Sequence, residues 1–355
     1  MTRRALLSSP LAFAPFASPA GRQWPLGINT YCLRFQRWHD RRLFEYCAEH
    51  KLDAIFLQDS IDAKMDRKHW AEVRAWSRDM GLHLETGGGA ILPRTAEERP
   101  KIIAALRNNI ERAAAMGSPI VRALLANDRY SLPEGSLERH IETAAGILRE
   151  VRSQVTDAGL KIGIENHKEL QAWETRQLIE AAGKEFTGSY LDTGNPVFVA
   201  EDPFTTLEEL GPYAVTFHLR DSVVYEHPDG IAVQWVPLGE GTVDFKALTA
   251  RASQIMPPVH IYCKPITARP PVVIPIYSGE FWNKWFPRAR SRDLARFLAL
   301  AKRGRPYDKP HLTADVPGLR ERYMEALRAQ QLDHMERSLD YSKRVLDLGV
   351  RWRKG

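Results

Sequence analysis

Eight short apolar segments, each followed by a segment with helical periodicity, constrain the fold of this chain more than any other feature. Each apolar segment covers five or six residues and is typical of a buried strand. The predicted strands are residues 26–31, 54–58, 82–86, 120–125, 161–166, 189–193, 215–220 and 259–264. The predicted helices are residues 40–50, 68–80, 98–116, 137–158, 174–182, 203–210, 244–255 and 291–303. This alternation predicts an α/β fold, a (β/α)8 TIM barrel over residues 21–305.

A doubly wound open sheet is the alternative to the barrel. Such a sheet usually carries a glycine-rich phosphate loop, G-x-G-x-x-G, directly after its first strand. Residues 29–34 read N-T-Y-C-L-R at that position, without a glycine. The pattern therefore favours the barrel.

The character of the chain changes after Arg305. A proline-rich connector is followed by a broken apolar stripe over residues 317–348. The stripe predicts one or two helices, so residues 306–355 are predicted to form a C-terminal helical extension. The extension packs either on the barrel or on a neighbouring subunit, which leaves a homo-oligomer open.

Composition excludes several classes of protein. With 355 residues, 44% of them hydrophobic and 26% charged, the chain is typical of a soluble globular protein with a sizeable core. The net charge is +6, but the basic residues are scattered among 44 acidic ones, which argues against nucleic acid as a partner. The three cysteines are an odd number without metal-site spacing, so no disulfide framework is implied.

Residues 1–20 have the composition of an export signal. The segment begins M-T-R-R-A-L-L, has an apolar middle that contains Pro10 and Pro15, and ends in small residues near Ala20. Its apolar run is too short to span a membrane. The paired arginines resemble a twin-arginine signal, and we expect an exported protein, periplasmic or extracellular.

Four ionisable residues share one position on the last four predicted strands. Within each strand, the apolar neighbours take the opposite face, so these four side chains point into the barrel near the carboxyl ends of the strands. They are Glu165, Asp192, His218 and Lys264. TIM-barrel enzymes keep their active sites at that end. Two carboxylates and an imidazole at one point favour a divalent cation (Mn, Mg, Fe, Co or Zn), although each residue alone is also compatible with a hydrogen-bonded structural role.

Five motifs resemble the xylose-isomerase-like superfamily of sugar phosphate isomerases and epimerases. They are G-I-E-N-H (163–167), L-D-T-G-N (191–195), F-H-L-R-D-S (217–222), V-P-L-G-E-G-T-V-D-F (236–245) and I-T-A-R-P-P (266–271). The resemblance implies that Glu165, Asp192 and His218 bind the metal. The fourth ligand of that family, a glutamate, falls on Lys264. A protonated lysine has no lone pair to give to a metal, so this position is a departure.

Lys264 leaves three hypotheses open. In the first, the three remaining ligands keep the metal and Lys264 acts as an acid/base. In the second, Lys264 itself supplies the positive charge, the metal is lost, and the site polarises a carbonyl by hydrogen bonds or forms a Schiff base. In the third, the barrel only binds sugars or has decayed.

Four further residues are candidates for substrate contact. His167 shares its face with Glu165 and is a candidate acid/base or a loop cap. Arg220 follows His218 by two residues and is a candidate ligand of a substrate oxygen, or a partner of Asp221 or Glu240. Glu85, at the predicted end of the third strand, is a candidate substrate-binding residue or a partner that fixes Arg122. Asn195, in the L-D-T-G-N motif, is a candidate substrate-binding residue.

The expected function is that of a carbohydrate isomerase or epimerase that removes a proton next to a sugar carbonyl with the help of a divalent metal. Glu165, Lys264 and His167 are the predicted catalytic residues. A lyase or dehydratase is an alternative, because β-elimination needs only one base and one acid. A DNA-repair endonuclease shares the superfamily, but that resemblance implies a three-zinc site with more inward histidines than this chain has. A barrel that binds a sugar without catalysing a reaction stays open.

Overall fold

The structure is a computed structural model that describes residues 23–58, 60–62, 66–314 and 321–354. Its strands are β1 (Leu26–Asn29), β2 (Ala54–Leu57), β3 (His83–Ala90), β4 (Ile120–Leu124), β5 (Lys161–Glu165), β6 (Thr187–Asp192), β7 (Ala214–Leu219), β8 (Asp221–His227), β9 (Gly230–Val236), β10 (Ile261–Cys263) and β11 (Val272–Ile274). Its α-helices are α1 (Asp40–Glu49), α2 (Arg67–Asp79), α3 (Glu98–Met116), α4 (Leu137–Glu150), α5 (Arg152–Asp157), α6 (Ala172–Ala182), α7 (Pro203–Leu210), α8 (Phe245–Ile255), α9 (Gly279–Trp285), α10 (Ser291–Ala301) and α11 (Glu321–Arg344). Short 3-10 helices cover Thr30–Gln36, Arg129–Ser131, Pro196–Val199, Gly211–Tyr213 and Arg351–Arg353.

Eight parallel strands close into a barrel in the order β1-β10-β7-β6-β5-β4-β3-β2. The strands are short and buried on both faces, as parallel strands covered by helices are. This architecture is the TIM barrel that the alternating pattern predicts. Because all strands run in one direction, their carboxyl ends meet at the same mouth of the barrel.

The third strand is longer than predicted. It continues to Ala90 instead of ending at residue 86, and its pairing with β4 shifts register between Gly87 and Ala90. Gly87 has a φ of 125° and lies so close to β4 that an added Cβ would stand 2.2 Å from the backbone nitrogen of Arg122. Only glycine fits there, because other residues rarely adopt such a φ and their side chain would meet the neighbouring strand.

A second, three-stranded sheet was not predicted from the sequence. It has the order β11-β9-β8, with antiparallel pairing. In the sequence, β8 and β9 come between the seventh and eighth barrel strands, and β11 follows the eighth. Its apolar residues join those of α9 and α10 in a separate core cluster that includes Val224, Val233, Ile274, Phe281 and Phe297. This small layer forms part of the wall above the carboxyl ends of the barrel strands, because Trp235 and Val272 line the cavity there.

Helix α11 packs on the barrel. Its Met335 and Leu339 belong to the main core, and Gln331 accepts a hydrogen bond from the Phe35 backbone N–H at 2.9 Å. Gln330 donates to Thr267 Oγ1 at 2.9 Å, just after the eighth barrel strand. Helix α11 therefore contacts the barrel of its own chain, and whether it also contacts a neighbouring subunit stays a prediction.

An aromatic layer fills the middle of the barrel. Phe56, Tyr190 and Tyr262 are fully buried there, and the edge of Phe56 meets both tyrosine rings. Among the described residues, this layer lies between the amino-terminal end of the barrel and its carboxyl end.

Of the helices that the structure describes, none is long and apolar enough to cross a membrane. The predicted export signal, residues 1–20, lies outside the described residues and stays a prediction.

Candidate functional site

Lys264 lies between the two carboxylates that the sequence places beside it. It follows β10 directly, and its backbone N–H donates to Leu219 at 2.9 Å, which extends the pairing with β7 by one residue. Its Nζ is 2.9 Å from Glu165 Oε1 and 3.0 Å from Asp192 Oδ2. Only 3% of the Lys264 side chain is exposed, so these are buried ion pairs. The structure therefore brings together three of the four residues that sequence parity selects.

Two arginines complete the charge cluster. Arg122 Nε donates to Glu165 Oε2, and Arg220 Nη2 donates to Asp192 Oδ2 at 2.7 Å. Both guanidinium groups are buried. Three cations thus face two carboxylates, and the cluster keeps one positive charge in excess.

Burial and charge act in opposite directions on Glu165. Burial alone would raise the pKa of this carboxyl, but the charges of Arg122 and Lys264 outweigh it and hold the pKa well below its usual range. Glu165 is therefore a carboxylate at neutral pH. A carboxylate held in this way is a poor proton acceptor, because protonation would break its contacts with two cations.

The turn after β6 holds Asp192 and Asn195 in place. Asp192 Oδ1 accepts from the backbone N–H groups of Gly194 and Asn195, at 2.8 and 3.2 Å. Asn195 Nδ2 donates to Glu165 Oε1 at 3.1 Å, and its Oδ1 accepts from Arg220 at 3.2 Å. Asn195 thus bridges the carboxylates of Glu165 and Asp192. It is fully buried and is not among the residues that line the cavity at this end of the barrel.

His218 is held in the aromatic layer. Its ring stacks between those of Tyr190 and Tyr262, with centroid distances of 3.9 and 4.8 Å. Nδ1 lies 2.9 Å from the Tyr190 hydroxyl, and Nε2 lies 3.2 Å from Thr216 Oγ1. Burial and the charge of Lys264 lower the pKa of His218 well below its usual value, so the ring is neutral.

The donor atoms of the predicted metal ligands are occupied by other partners. Both oxygens of Glu165 and Oδ2 of Asp192 accept from cationic side chains, and Asp192 Oδ1 accepts from backbone N–H groups. Both nitrogens of His218 contact hydroxyl groups. A divalent ion at this point would stand beside the ammonium of Lys264, which repels it. In this arrangement the residues do not fit a metal, so the metal role of Glu165, Asp192 and His218 stays a prediction from the resemblance.

Two other groups of described residues bring three possible metal-ligand atoms within 4.8 Å of one another. They are His83, Glu85 and His260, and Asp40, Asp62 and His69. The first group lies at the amino-terminal end of the barrel, where the rings of His83 and His260 stack with their centroids 3.6 Å apart.

A cavity of about 540 Å³ lies directly above the charge cluster. Its size suits a small molecule. The charged residues of its lining are Arg122, Lys168, Arg220, Lys264 and Arg269, and the lining also contains His167. Phe198, Trp235, Ile266 and Val272 are among the apolar ones. Of the predicted site residues, the cavity therefore exposes His167, Arg220 and Lys264 to a ligand.

His167 has a defined tautomer. Its Nδ1 lies 2.5 Å from the carbonyl oxygen of Asn127, which can only accept, so Nδ1 carries the proton. The lone pair is therefore on Nε2. Burial lowers the pKa of His167 to about 4, with Glu165 acting in the opposite direction, so the imidazole is neutral at neutral pH. A neutral imidazole at the wall of a cavity can accept a proton from a ligand.

Glu85 lies away from this site. Because β3 runs five residues beyond it, Glu85 is near the amino-terminal end of the barrel, where it contacts His83 Nε2 at 3.2 Å. It is buried and is not among the residues that line the cavity. Its predicted contact with a substrate has no support in this placement, and the error in the predicted strand end is the reason.

Sequence reasoning missed Lys168 and gave Arg122 no role of its own. Arg122 interrupts the apolar run I-V-R-A-L-L on the face that points inward, which is a usable signal. Lys168 lies in the loop after β5 and has no strand periodicity that could place it.

Comparisons with known proteins agree with the fold. A family model described as Xylose isomerase-like TIM barrel matches residues 44–257. A curated relative, the uncharacterized protein YihM of Escherichia coli (strain K12), is 28% identical over 119 residues, which are 34% of this chain. The match spans only 36% of the length of that relative.

Solved structures share the architecture at low identity. D-psicose 3-epimerase with D-tagatose, from Clostridium cellulolyticum H10, has a TM-score of 0.58 and 14% identity, with 89% of this chain and 99% of that chain covered. A Xylose isomerase-like TIM barrel protein from Mycobacterium smegmatis, in complex with magnesium, has a TM-score of 0.55 and 17% identity, with 68% and 89% covered. At these identities the likeness concerns the fold alone.

Proposed function

Because this chain belongs to the xylose isomerase-like TIM barrel family, we propose that it is a carbohydrate isomerase that moves a proton next to a sugar carbonyl. One observation carries the proposal. A neutral imidazole, His167, and a buried ammonium, Lys264, line the same cavity at the carboxyl end of the barrel. The first is a base and the second an acid, and this reaction needs one of each.

In the proposed reaction, His167 Nε2 takes the proton from the carbon next to the carbonyl. Lys264 donates a hydrogen bond to the carbonyl oxygen and stabilises the negative charge that develops there. The proton of the adjacent hydroxyl passes by way of Lys264 to the former carbonyl oxygen, and His167 returns its proton to the former carbonyl carbon. The adjacent carbon then carries the carbonyl, which gives the isomer. Glu165 and Asp192 keep the ammonium in position, and Arg220 contacts substrate oxygens.

No step of this proposal requires a metal. One solved structure of this fold, from Mycobacterium smegmatis, is described in complex with magnesium. The family resemblance implies a metal held by four side chains. Here the ammonium of Lys264 supplies a positive charge at the point where that resemblance places the fourth ligand. The proposal is thus the second of the hypotheses that the lysine leaves open, without a covalent Schiff base.

β-Elimination from a sugar with an oxidised carbon is a second candidate, because one observation argues against two-base epimerisation. Epimerisation of the two-base kind needs a second base on the opposite face, but Glu165 accepts hydrogen bonds from Arg122, Lys264 and Asn195. One base and one acid suffice both for isomerisation and for elimination. The two candidates share the proton abstraction and differ in what leaves the intermediate.

Solvent exchange tests the shared step. Purified protein is incubated in D2O with a panel of ketoses, aldoses and 3-keto-glycosides, and proton NMR follows the signal of the hydrogen next to the carbonyl. We expect exchange, together with an isomer for the first candidate or a free leaving group for the second. An absence of exchange across the panel would contradict both.

Variants assign the roles. His167→Gln should lower the exchange rate by about 10² to 10⁴, the range for general base catalysis. Lys264→Met should abolish turnover. The affinity for the sugar should stay within about tenfold, which is equivalent to about 1.4 kcal/mol. Glu138→Gln, an exposed charge on α4, is the control and should match the unchanged protein. Normal turnover of Lys264→Met would show that the role given to this lysine is wrong.

A further inference from the structure

The charged side chains that the structure describes in the wall of the cavity are all positive. Among the described residues that line it, five are cationic and none is a carboxylate: Arg122, Lys168, Arg220, Lys264 and Arg269. The two acids of the charge cluster are fully buried beneath this wall, and cations or backbone N–H groups already engage their oxygens. A ligand in the cavity therefore meets a positive surface.

Lys168 and Arg220 share one aromatic side chain. Arg220 Cζ lies 4.4 Å from the centre of the Trp235 ring, and Lys168 Nζ lies 6.0 Å from the same centre. Lys168 Nζ is also 5.8 Å from the centre of the Phe198 ring. The two cations thus stand on one indole at the cavity wall, where cation–π attraction reduces the cost of their repulsion.

Neither cation of this pair has its hydrogen-bonding capacity filled. In the described part of the chain, no carboxylate oxygen lies within 4.0 Å of Lys168 Nζ. Arg220 gives its Nη atoms to Asn195 and Asp192, but its Nε is buried without a hydrogen-bond partner. A buried donor without a partner is unfavourable, so a ligand oxygen that accepts from it binds more tightly.

From this geometry we propose that the substrate is a sugar acid whose carboxylate binds between Lys168 and Arg220, with Trp235 as the floor of that subsite. The proposal rests on the proposed function for the rest of the sugar, and it adds the class of substrate. Lys264 and His167 line the same cavity and are left for the carbonyl end of the molecule.

A carboxylate fits better than a phosphate. Proteins commonly hold phosphates with several backbone N–H groups of a glycine-rich turn or a helix start. The glycine turn nearest in sequence, residues 238–241, is occupied: Gly239 and Gly241 both donate to Asp221 Oδ2 at 2.9 Å. The subsite itself consists of two side chains, which matches a singly charged group.

Calorimetric titration tests the subsite without any need for turnover. The full chain is titrated with D-glucuronate, D-galacturonate, the parent sugars glucose and galactose, and glucose 6-phosphate. We expect at least one uronate to bind ten times or more tighter than its parent sugar, and tighter than the phosphate. Equal binding of acid and parent sugar would overturn the proposal, and tighter binding of the phosphate would overturn the assignment to a carboxylate.

Variants show where the preference comes from. Lys168→Met should remove most of the preference for the acid, and Lys168→Arg should restore it, because the charge returns. Lys284→Met is the matched control: Lys284 lies 4.8 Å from the centre of the Trp285 ring but does not line the cavity. A preference that survives in Lys168→Met would contradict the subsite.

The outcome separates this inference from the proposed function. Preference for a uronate without solvent exchange would support the subsite and contradict the isomerase. Exchange on neutral sugars, with no preference for their acids, would support the isomerase and overturn the subsite.

Discussion

Removal of a carboxylate from the charge cluster should cost more stability than removal of the lysine that pairs with it. Lys264 contacts Glu165 and Asp192, but each of these acids also has an arginine of its own. In Lys264→Met, the pairs Arg122–Glu165 and Arg220–Asp192 remain, and positive and negative charges are equal in number. In Glu165→Gln, three buried cations share a single carboxylate.

The expected magnitudes follow from this count. Glu165→Gln leaves buried charge without compensation, a change that typically costs about 3–5 kcal/mol of unfolding free energy. Lys264→Met loses a charge-assisted hydrogen bond to Glu165, worth about 1.5–3 kcal/mol in gross terms, and the ion pair with Asp192. It also removes an ammonium whose burial costs several kcal/mol, so we expect a net loss of at most about 2 kcal/mol.

Urea unfolding followed by circular dichroism at pH 7 measures both variants and the double variant. The double variant should be less destabilised than the sum of the two single ones. Without Glu165 the ammonium keeps only one of its two carboxylates, Asp192, and it adds to the uncompensated charge of Arg122. The reasoning is refuted if Lys264→Met loses as much stability as Glu165→Gln, or if the two effects simply add. Lys302→Met, an exposed lysine at the end of α10, controls for the loss of a lysine as such.

Three further predictions follow from the structure. Burial and the neighbouring His83 lower the pKa of His260 to about 4, below its unfolded value of about 6.5. Because the unfolded state then binds the proton more readily, the free energy of unfolding should fall as the pH drops from about 6.5 to about 4, by at most about 3 kcal/mol. Urea unfolding of the unchanged protein and of His260→Gln should then converge at low pH, and parallel curves would contradict this. In Gly194→Ala the new Cβ would stand 2.5 Å from Arg220 Cδ, so the arginine has to move. We expect kcat/KM to fall about tenfold or more, equivalent to about 1.4 kcal/mol. The control Gly279→Ala, with no atom within 4 Å of its new Cβ, should leave kcat/KM unchanged. Dialysis against EDTA should leave the solvent exchange rate within about twofold, equivalent to less than about 0.5 kcal/mol, and a large loss restored by Mn²⁺ would support a metal instead of Lys264.

The barrel could be predicted because parallel strands covered on both faces leave a strong sequence signal. Each of the eight strands is a short apolar run followed by an amphipathic helix, and the observed ends of most strands lie within two residues of the predicted ones. The exception, β3, ends in T-G-G-G-A, a segment with almost no apolar side chains to mark a strand. Its observed extension depends on the close approach of Gly87 to β4, which is a tertiary contact.

The antiparallel sheet shows the second limit of sequence reasoning. Strand β8 follows β7 after a single residue, Arg220, so the two strands read as one continuous segment. Its partners are set by pairing over long separations, since β11 joins β9 across about forty residues. The local sequence pattern shows neither the boundary between β7 and β8 nor the pairing of β11 with β9.

The candidate site was predictable in its members but not in its contacts. Side-chain parity places Glu165, Asp192 and Lys264 on the inner face, and the structure has them in direct contact. The same parity places His218 inward, yet its ring turns into the stack of Tyr190 and Tyr262. Parity gives the face of a strand, whereas the direction of a ring within the barrel depends on how neighbouring aromatic side chains pack.

The lysine at position 264 links the proposed chemistry to the proposed substrate. In the arrangement that the family resemblance implies, a divalent cation faces three carboxylates, and the centre has a net negative charge. Here Lys264, Arg122 and Arg220 face two carboxylates, and the centre has a net positive charge. A cavity above such a centre attracts an anionic substrate. Substitution of a glutamate by a lysine therefore changes more than a ligand: it reverses the sign of the charge that the substrate meets, and the cationic pair of Lys168 and Arg220 extends that positive field to the cavity wall.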